Sequence, residues 1–227
     1  MLLISINWFP IRLSLFVAAI ATVIALTIGG GLAWVLARKK FIGRDLLDSL
    51  ITLPLVLPPT VLGYYLLTIL GTRSPLGSFL YNNFGIRLTF TVTAAIIAAT
   101  IHALPLVTKS LRAAFESINP ELESAAKTLG ANERSVFFRV TLPMAKRSVL
   151  AAMALAFARS LGDFGVTIMI AGNIPNKTQT ASIAIYDAAQ AGRDNEAFML
   201  SIIVSLIAVV MLYLINRLGK QNFYLTR

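Results

Sequence analysis

Long apolar runs alternate along this chain with short polar segments. The runs cover about residues 13–37, 46–70, 88–107, 148–171 and 197–215. At 1.5 Å per residue a helix of about 20 residues crosses a hydrocarbon core of ~30 Å. The pattern therefore predicts an all-α, polytopic transmembrane helical protein with five spans, forming a single transmembrane domain over residues 1–227. The Trp8-Phe9 pair suits a membrane interface. Met1 to Arg12 lacks the charged start and small-residue cleavage site of a signal peptide, and is expected to belong to the mature protein.

The polar stretch from Asn119 to Pro143 differs from the other connections because it carries its own helical pattern. Asn119 is a good N-cap, and Pro120 suits the first helical position. Glu121 and Glu123 place negative charge at the positive end of the helix dipole. Leu122, Ala125, Ala126 and Leu129 recur at i, i+3, i+4 and i+7, which gathers them on one apolar face. Gly130 stands where a left-handed cap is expected. Asn132 caps a second short helix through Val136, Phe137 and Val140, and Leu142-Pro143 starts a new element. The prediction is a helix–Gly–helix unit whose greasy stripe needs a partner to cover it.

Within the spans, the residues that disturb an ideal helix are the informative ones. Gly29-Gly30-Gly31 permits close helix contact or a bend. Pro54, Pro58 and Pro59 each lack an N–H and crowd the carbonyl one turn back, so the second span should be kinked or discontinuous. Broken helices often mark transport pathways, and a structural kink is the competing reading. His102, the only histidine, falls in the third span, either as a hydrogen-bond partner of a neighbouring helix or as a proton relay. Pro105 is expected to end or kink that span, with Lys109 and Arg112 carrying the helix into water. In the fourth span Arg159 and Asp163 lie one helical turn apart, with Gly162 and Gly165 loosening the backbone and Thr167 one turn further on. An isolated charge at this depth costs at least ~2.5 kcal/mol on insertion scales, so the two are expected to pair. They form either a structural ion pair or part of a gate. The connections predict an interfacial helix over 76–84 and a re-entrant or interfacial segment over 180–191.

Composition agrees: 57% of the residues are hydrophobic and 13% charged, about half the charged share of a soluble domain. The net charge of +10 is a matter of topology. If the Arg38-Lys39-Lys40 loop is cytoplasmic, five-span alternation puts 14 of the 20 Lys and Arg inside, 5 outside and Arg159 within a span. The positive-inside rule thus predicts an outside N-terminus, a cytoplasmic basic tail with Arg217, Lys220 and Arg227, and a cytoplasmic Asn119–Pro143 unit. No nucleic-acid partner is needed to explain the charge. With 0 Cys and 1 His, thiol catalysis, Cys-based metal sites and a Ser-His-Asp constellation with a choice of histidines are excluded. The chain has no G-x-x-x-x-G-K-[ST] loop to cradle ATP phosphates. It reads as a non-enzymatic subunit, binding no cofactor of its own, whose energy source lies elsewhere. A gradient-driven transporter or channel, coupled through Arg159, Asp163 and His102, is the alternative.

Ala125-Ala126, three residues, Gly130, nine residues, then Val140-Thr141-Leu142-Pro143 resembles the "EAA" loop of bacterial binding-protein-dependent ABC transporter permeases, E-A-A-x3-G-x9-I-x-L-P. Ser124 occupies the motif's Glu position and the acid stands at Glu123, which moves any charge contact with the partner onto a different helical face. The run L-P-L-V-L-P-P-T-V-L-G-Y-Y, the segment F-A-R-S-L-G-D-F-G-V-T and N-I-P-N-K-T-Q-T are similar to the molybdate branch of that family. Sulfate permeases share much of the Arg159–Asp163 segment. The resemblance implies an ABC importer permease core in the bacterial or archaeal inner membrane. It implies a homodimer, two cytoplasmic ATPase subunits carrying ATP and Mg, and a periplasmic or surface-tethered protein that delivers the oxyanion: molybdate, with tungstate or sulfate as alternatives. It makes Leu122, Glu123, Ser124, Ala125, Ala126, Leu129, Gly130, Leu142 and Pro143 the ATPase-coupling residues. Pro54, Pro58, Pro59, Arg159, Gly162, Asp163, Gly165 and Thr167 are candidates for the pathway or gate. Asn173 and Thr178 are further candidates for touching the anion.

Overall fold

The computed structural model describes residues 7–221, and every regular element among them is helical. Met1 to Ile6 and Arg227, the last of the basic tail, lie outside the described residues. In order the helices are α1 (Phe9–Arg38), α2 (Arg44–Val56), α3 (Pro59–Leu70), α4 (Pro75–Phe84), α5 (Val92–Glu116), α6 (Pro120–Thr128) and α7 (Glu133–Val136). A π-helical turn, Phe137–Thr141, comes next, then α8 (Leu142–Met144), α9 (Lys146–Leu161), α10 (Gly165–Ala171), α11 (Ala181–Gln190) and α12 (Asp194–Gln221). Three helices, α1, α5 and α12, are long and apolar enough to cross a membrane unbroken, and two further bent helix pairs bring the total to as many as 5.

The centre of the bundle is α1 against α5, with α9 packed on both. The contact is made by small residues: Ala25 and Ala33 of α1, Ala98, Ala99 and Ala103 of α5, and Ala152 and Ala156 of α9 are all fully buried. Between membrane helices there is no hydrophobic driving force from water, and close backbone approach through small side chains takes its place. Gly29 and Gly30 are buried in this contact, Gly31 is open, and α1 runs through all three as one helix. A Cβ on Gly29 would lie 3.0 Å from Val107 Cγ1 and 3.1 Å from Thr108 Oγ1. The α12 helix covers Phe157 and Leu161 of α9 with Val204, Ala208 and Met211, and much of its outer surface, including Leu206, Val209 and Tyr213, is exposed.

Two expected spans are interrupted. The second divides at Leu57-Pro58, where α2 and α3 meet at 113°. Pro54 is accommodated inside α2, whereas Pro58 is the N-cap of α3 and Pro59 its first residue, the position where a missing N–H is harmless. The fourth, expected as one run over 148–171, divides at Gly162-Asp163-Phe164 into α9 and α10. Its other end bends 76° away from the preceding α7–α8 segment. Pro105 runs the other way: α5 continues through it to Glu116, so it does not end the third span. Neighbouring helices and local adjustment make such an interior proline tolerable in a membrane.

Candidate functional site

The Asn119–Pro143 unit is built by local chemistry. Asn119 Oδ1 accepts from the Glu121 N–H at 3.0 Å, and Asn132 Oδ1 accepts from the Ser135 N–H at 2.8 Å. Between these caps α6 closes on a complete Schellman motif. The Ala131 N–H donates to the Ala126 carbonyl at 3.1 Å and the Gly130 N–H to the Lys127 carbonyl at 3.0 Å, with Gly130 at φ +86. Leu122 and Leu129 are 46% and 89% exposed, and Ala125 lies open beside them. Ala126 is half-buried, Leu142 is half-buried and Pro143 is exposed. The Ser124 hydroxyl is occupied in donating to the Pro120 carbonyl at 3.0 Å. Phe138 and Met144 add exposed apolar surface that the sequence pattern does not single out.

Glu123 departs from its expected place on the docking face. It is turned inward and buried, with Oε1 held by Arg38 at 2.9 Å and by the Thr141 hydroxyl at 2.7 Å. An acid in the first turn of a helix reads as a dipole partner, and nothing local distinguishes it from one that reaches a cation 85 residues earlier. The unit sits at the end of the bundle where basic side chains gather, several of them in ion pairs. Arg44 reaches Glu116, Lys109 and Arg112 both reach Asp48, and Lys39 and Lys127 reach Glu133.

The second cluster lies at the break between α9 and α10. Asp163 is 3% exposed, and its carboxylate meets donors from both sides of the break: Arg159 Nη1 at 3.3 Å, the Thr167 N–H at 3.2 Å and the Thr167 hydroxyl. His102, 2% exposed, approaches from α5 with Nδ1 2.6 Å from Asp163 Oδ1 and 2.8 Å from Arg159 Nη2. The expected Arg159–Asp163 pair is therefore present and extended into a four-residue network. Of the two readings of His102, the structure has the hydrogen bond to a neighbouring helix. Arg159 keeps about a third of its side chain, 32%, exposed, so one cation of the network faces outward. Nothing in the sequence links positions 102 and 163; a lone polar residue in each of two spans is the available signal.

Two of the remaining pathway candidates, Pro59 and Gly165, meet at a crossing of α3 with α10. A Cβ on Gly165 would lie 2.6 Å from Pro59 Cβ, and one on Gly63 would lie 2.7 Å from Met169 Cβ. The second halves of the two interrupted spans are thus in contact through backbone-close packing, directly beside the Asp163 network. Gly162 is different. It is exposed, its φ is −89, and an added Cβ would be 3.6 Å from the nearest atom, an ordinary contact. We expect Gly162→Ala to leave membrane abundance and transport near wild type and Gly165→Ala to depress both severalfold, measured side by side. Equal behaviour of the two would show that the α3–α10 crossing is not a constrained joint. Asn173 and Thr178 serve the loop before α11. Asn173 donates to Asp187 at 2.9 Å and accepts from Gln179 at 2.8 Å, and Thr178 is fully buried.

Known proteins with the same architecture are numerous. A molybdenum transport system permease protein, ModB, of Escherichia coli K12 is 41% identical over 221 residues, covering 97% of this chain and 96% of the relative. A sulfate transport system permease protein, CysT, of Salmonella typhimurium is 35% identical over 210 residues, covering 92% of this chain and 76% of the relative. Among solved structures, a bacterial ABC transporter involved in alginate import superposes with a TM-score of 0.76 at 18% identity, covering 94% of this chain and 78% of that one, which shows a common fold. Residues 25–221 match the family described as "Binding-protein-dependent transport system inner membrane component". With its capped polar loop, its interrupted helices and these relatives together, the chain belongs to the binding-protein-dependent transport system inner membrane component family.

Proposed function

We propose that this chain is the permease subunit of an ATP-driven molybdate importer. Two copies would form the translocation pathway, and each would carry α6 into a groove on one of two cytoplasmic ATPase subunits. The observation that carries the reading is the exposed apolar face Leu122, Ala125 and Leu129 on a helix fixed at both ends by caps. Such a face on an otherwise paired and charged end of the bundle calls for a partner. Because the chain has no phosphate loop, that partner supplies the ATP chemistry and its Mg. Glu123 has no part in that contact; Leu142 and Pro143 frame the far end of the unit.

The same end carries many of the basic side chains, which by the positive-inside rule supports a cytoplasmic position for it and an outside N-terminus. ATP-dependent closure of the ATPase pair favours one conformation of the permease over the other, and only that difference in affinity can drive the cycle. The interrupted second and fourth spans, with Pro58, Pro59, Gly165 and the Asp163 network, are the elements that would move. Molybdate is the cargo this reading favours, since the relative at 41% identity carries molybdenum in its name and the sulfate relative stands at 35%.

The test is reconstitution of the chain with its ATPase subunits and oxyanion-binding protein in proteoliposomes. We expect uptake of molybdate that requires both ATP and the binding protein, and co-purification of the ATPase with the permease. Preference for sulfate or tungstate would reassign the cargo. Uptake driven by an ion gradient without ATP would overturn the importer reading in favour of a secondary transporter.

A further inference from the structure

The interior side of the docking unit is as specifically built as its exposed side. Arg38 is the last residue of α1, and its guanidinium crosses to Glu123 on α6 at 2.9 Å and to the Ile118 carbonyl at 3.5 Å. The same carboxylate oxygen accepts from Thr141, which ends the π-helical turn and is fully buried. One turn before Arg38 on α1 stands Trp34, and four residues before Thr141 stands Phe137. These two rings meet edge to face at 6.1 Å, and Phe115 of α5 closes on Phe137 at 6.1 Å. Two residue pairs at i and i+4 spacing, one from α1 and one from the π turn, therefore face each other with Glu123 reaching into the polar half. A π turn widens the helix and shifts the register of the residues after it, and such turns are concentrated at functional positions.

This geometry gives α6 a direct charged link to α1, the central helix of the bundle. The other ion pairs made by the Asn119–Pro143 unit, Lys39–Glu133 and Lys127–Glu133, are about half exposed. Pairs of that kind hold little in water. The Arg38–Glu123 pair is shielded, with side chains 15% and 12% exposed, and shares its acceptor with a buried hydroxyl. Shielded, charge-assisted hydrogen bonds of this sort are the strong ones.

We infer that Glu123, Arg38 and Thr141 form a strut that transmits movement of the docking helix to α1. Glu123 is thus a positioning residue of the transport cycle and not a contact to the ATPase. The inference rests on the importer reading above. It explains the displaced acid of the motif: an acid at Ser124's position would point outward with its neighbours, whereas at Glu123 it points into the bundle.

A double-mutant cycle on the full reconstituted complex tests it, using Glu123→Ala, Arg38→Met and the two combined. Three quantities are read: permease in the membrane, ATPase co-purified with it, and molybdate carried per ATP hydrolysed. We expect assembly to stay within about twofold of wild type while each single variant loses roughly tenfold in molybdate carried per ATP, a coupling loss of ordinary allosteric size. The combined variant should be no worse than the worse single one, because both remove the same link. Glu123→Gln, which keeps the shape and the Thr141 hydrogen bond, should fall between; should Glu123→Ala be lost from the membrane, Glu123→Gln decides by the same ratio. A drop in co-purified ATPase with transport per ATP intact would overturn the inference, since Glu123 would then be a docking contact. Unchanged transport per ATP in all variants would overturn it as well, leaving a purely structural pair. A wild-type complex that takes up no oxyanion with ATP overturns the importer reading itself, and the inference falls with it.

Discussion

Replacing Asp163 with Ala is expected to cut the amount of folded protein in the membrane severalfold and to abolish transport. Asp163 is 3% exposed, and its carboxylate accepts from Arg159 and from both the N–H and hydroxyl of Thr167 and lies 2.6 Å from His102 Nδ1. Truncation strands those groups. Breaking a buried pair by removing one partner costs about 3–5 kcal/mol, against a total stability of about 5–15 kcal/mol for a domain. The Arg159 side of the network is discounted because 32% of that side chain is exposed. The greater part of the loss falls on His102 and on Thr167 at the start of α10, which are buried. A second substitution separates a structural network from a moving one. Asp163→Asn removes the charge but keeps a carboxamide oxygen to accept from the Thr167 N–H and hydroxyl and an amide group to meet His102 Nδ1. It should therefore recover much of the abundance. If transport returns with it, the network serves only to hold the bundle together; if abundance returns and transport does not, its charges act in the cycle. Abundance and transport at wild-type level in Asp163→Ala alone would show that the network does neither.

How much of the fold is legible in the sequence depends on how local each determinant is. The apolar runs and their charges announce a helical membrane protein because bilayer thickness sets run length and loop charge sets orientation. Asn119, Pro120, Gly130 and Asn132 announce α6 and α7 because caps are made within four or five residues of themselves. The structure has those caps at the expected positions. The interruption at Leu57-Pro58 is equally local, since a proline pair cannot continue a helix. The determinants that need a partner from elsewhere are not legible. Glu123 looks like any first-turn acid, and its turn inward depends on Arg38 lying at the end of a helix that packs alongside. His102 and Asp163 are 61 residues apart and meet only because α5 packs against α9 and α10. Gly162 and Gly165 look alike as loosening residues. Only the arrival of Pro59 against one of them separates a required glycine from a replaceable one. The division of the fourth span is half legible: the glycines mark where it happens, while the Asp163 carboxylate that takes up the Thr167 N–H in the first turn of α10 is held there by groups from α5 and α9.

Gly130→Val is expected to leave the protein inserted and to uncouple it. Gly130 has φ +86, a region where a side chain's Cβ crowds the backbone and β-branched residues are strongly disfavoured. Forcing a non-glycine residue there costs about 1–3 kcal/mol. That cost falls on one joint: the Schellman closure through the Gly130 and Ala131 N–H groups, and the short run to the Asn132 cap. No atom lies within 4 Å of an added Cβ, so the substitution disturbs no packing and gives the bundle no reason to unfold. The strain is relieved by redirecting the chain after Leu129, which moves the most exposed apolar side chain of the α6 stripe, 89% exposed. A graded series isolates the backbone effect from size. Asn enters the left-handed region with little penalty, Ala meets it in full, and Val adds the burden of its branch. Transport and permease-stimulated ATP hydrolysis in reconstituted complexes should therefore fall in the order Gly, Asn, Ala, Val, at constant membrane abundance. A Val variant that matches wild type in both would mean that the angle between α6 and α7 does not matter for coupling. A fall in abundance that parallels the fall in transport would mean that Gly130 serves the fold and not the joint.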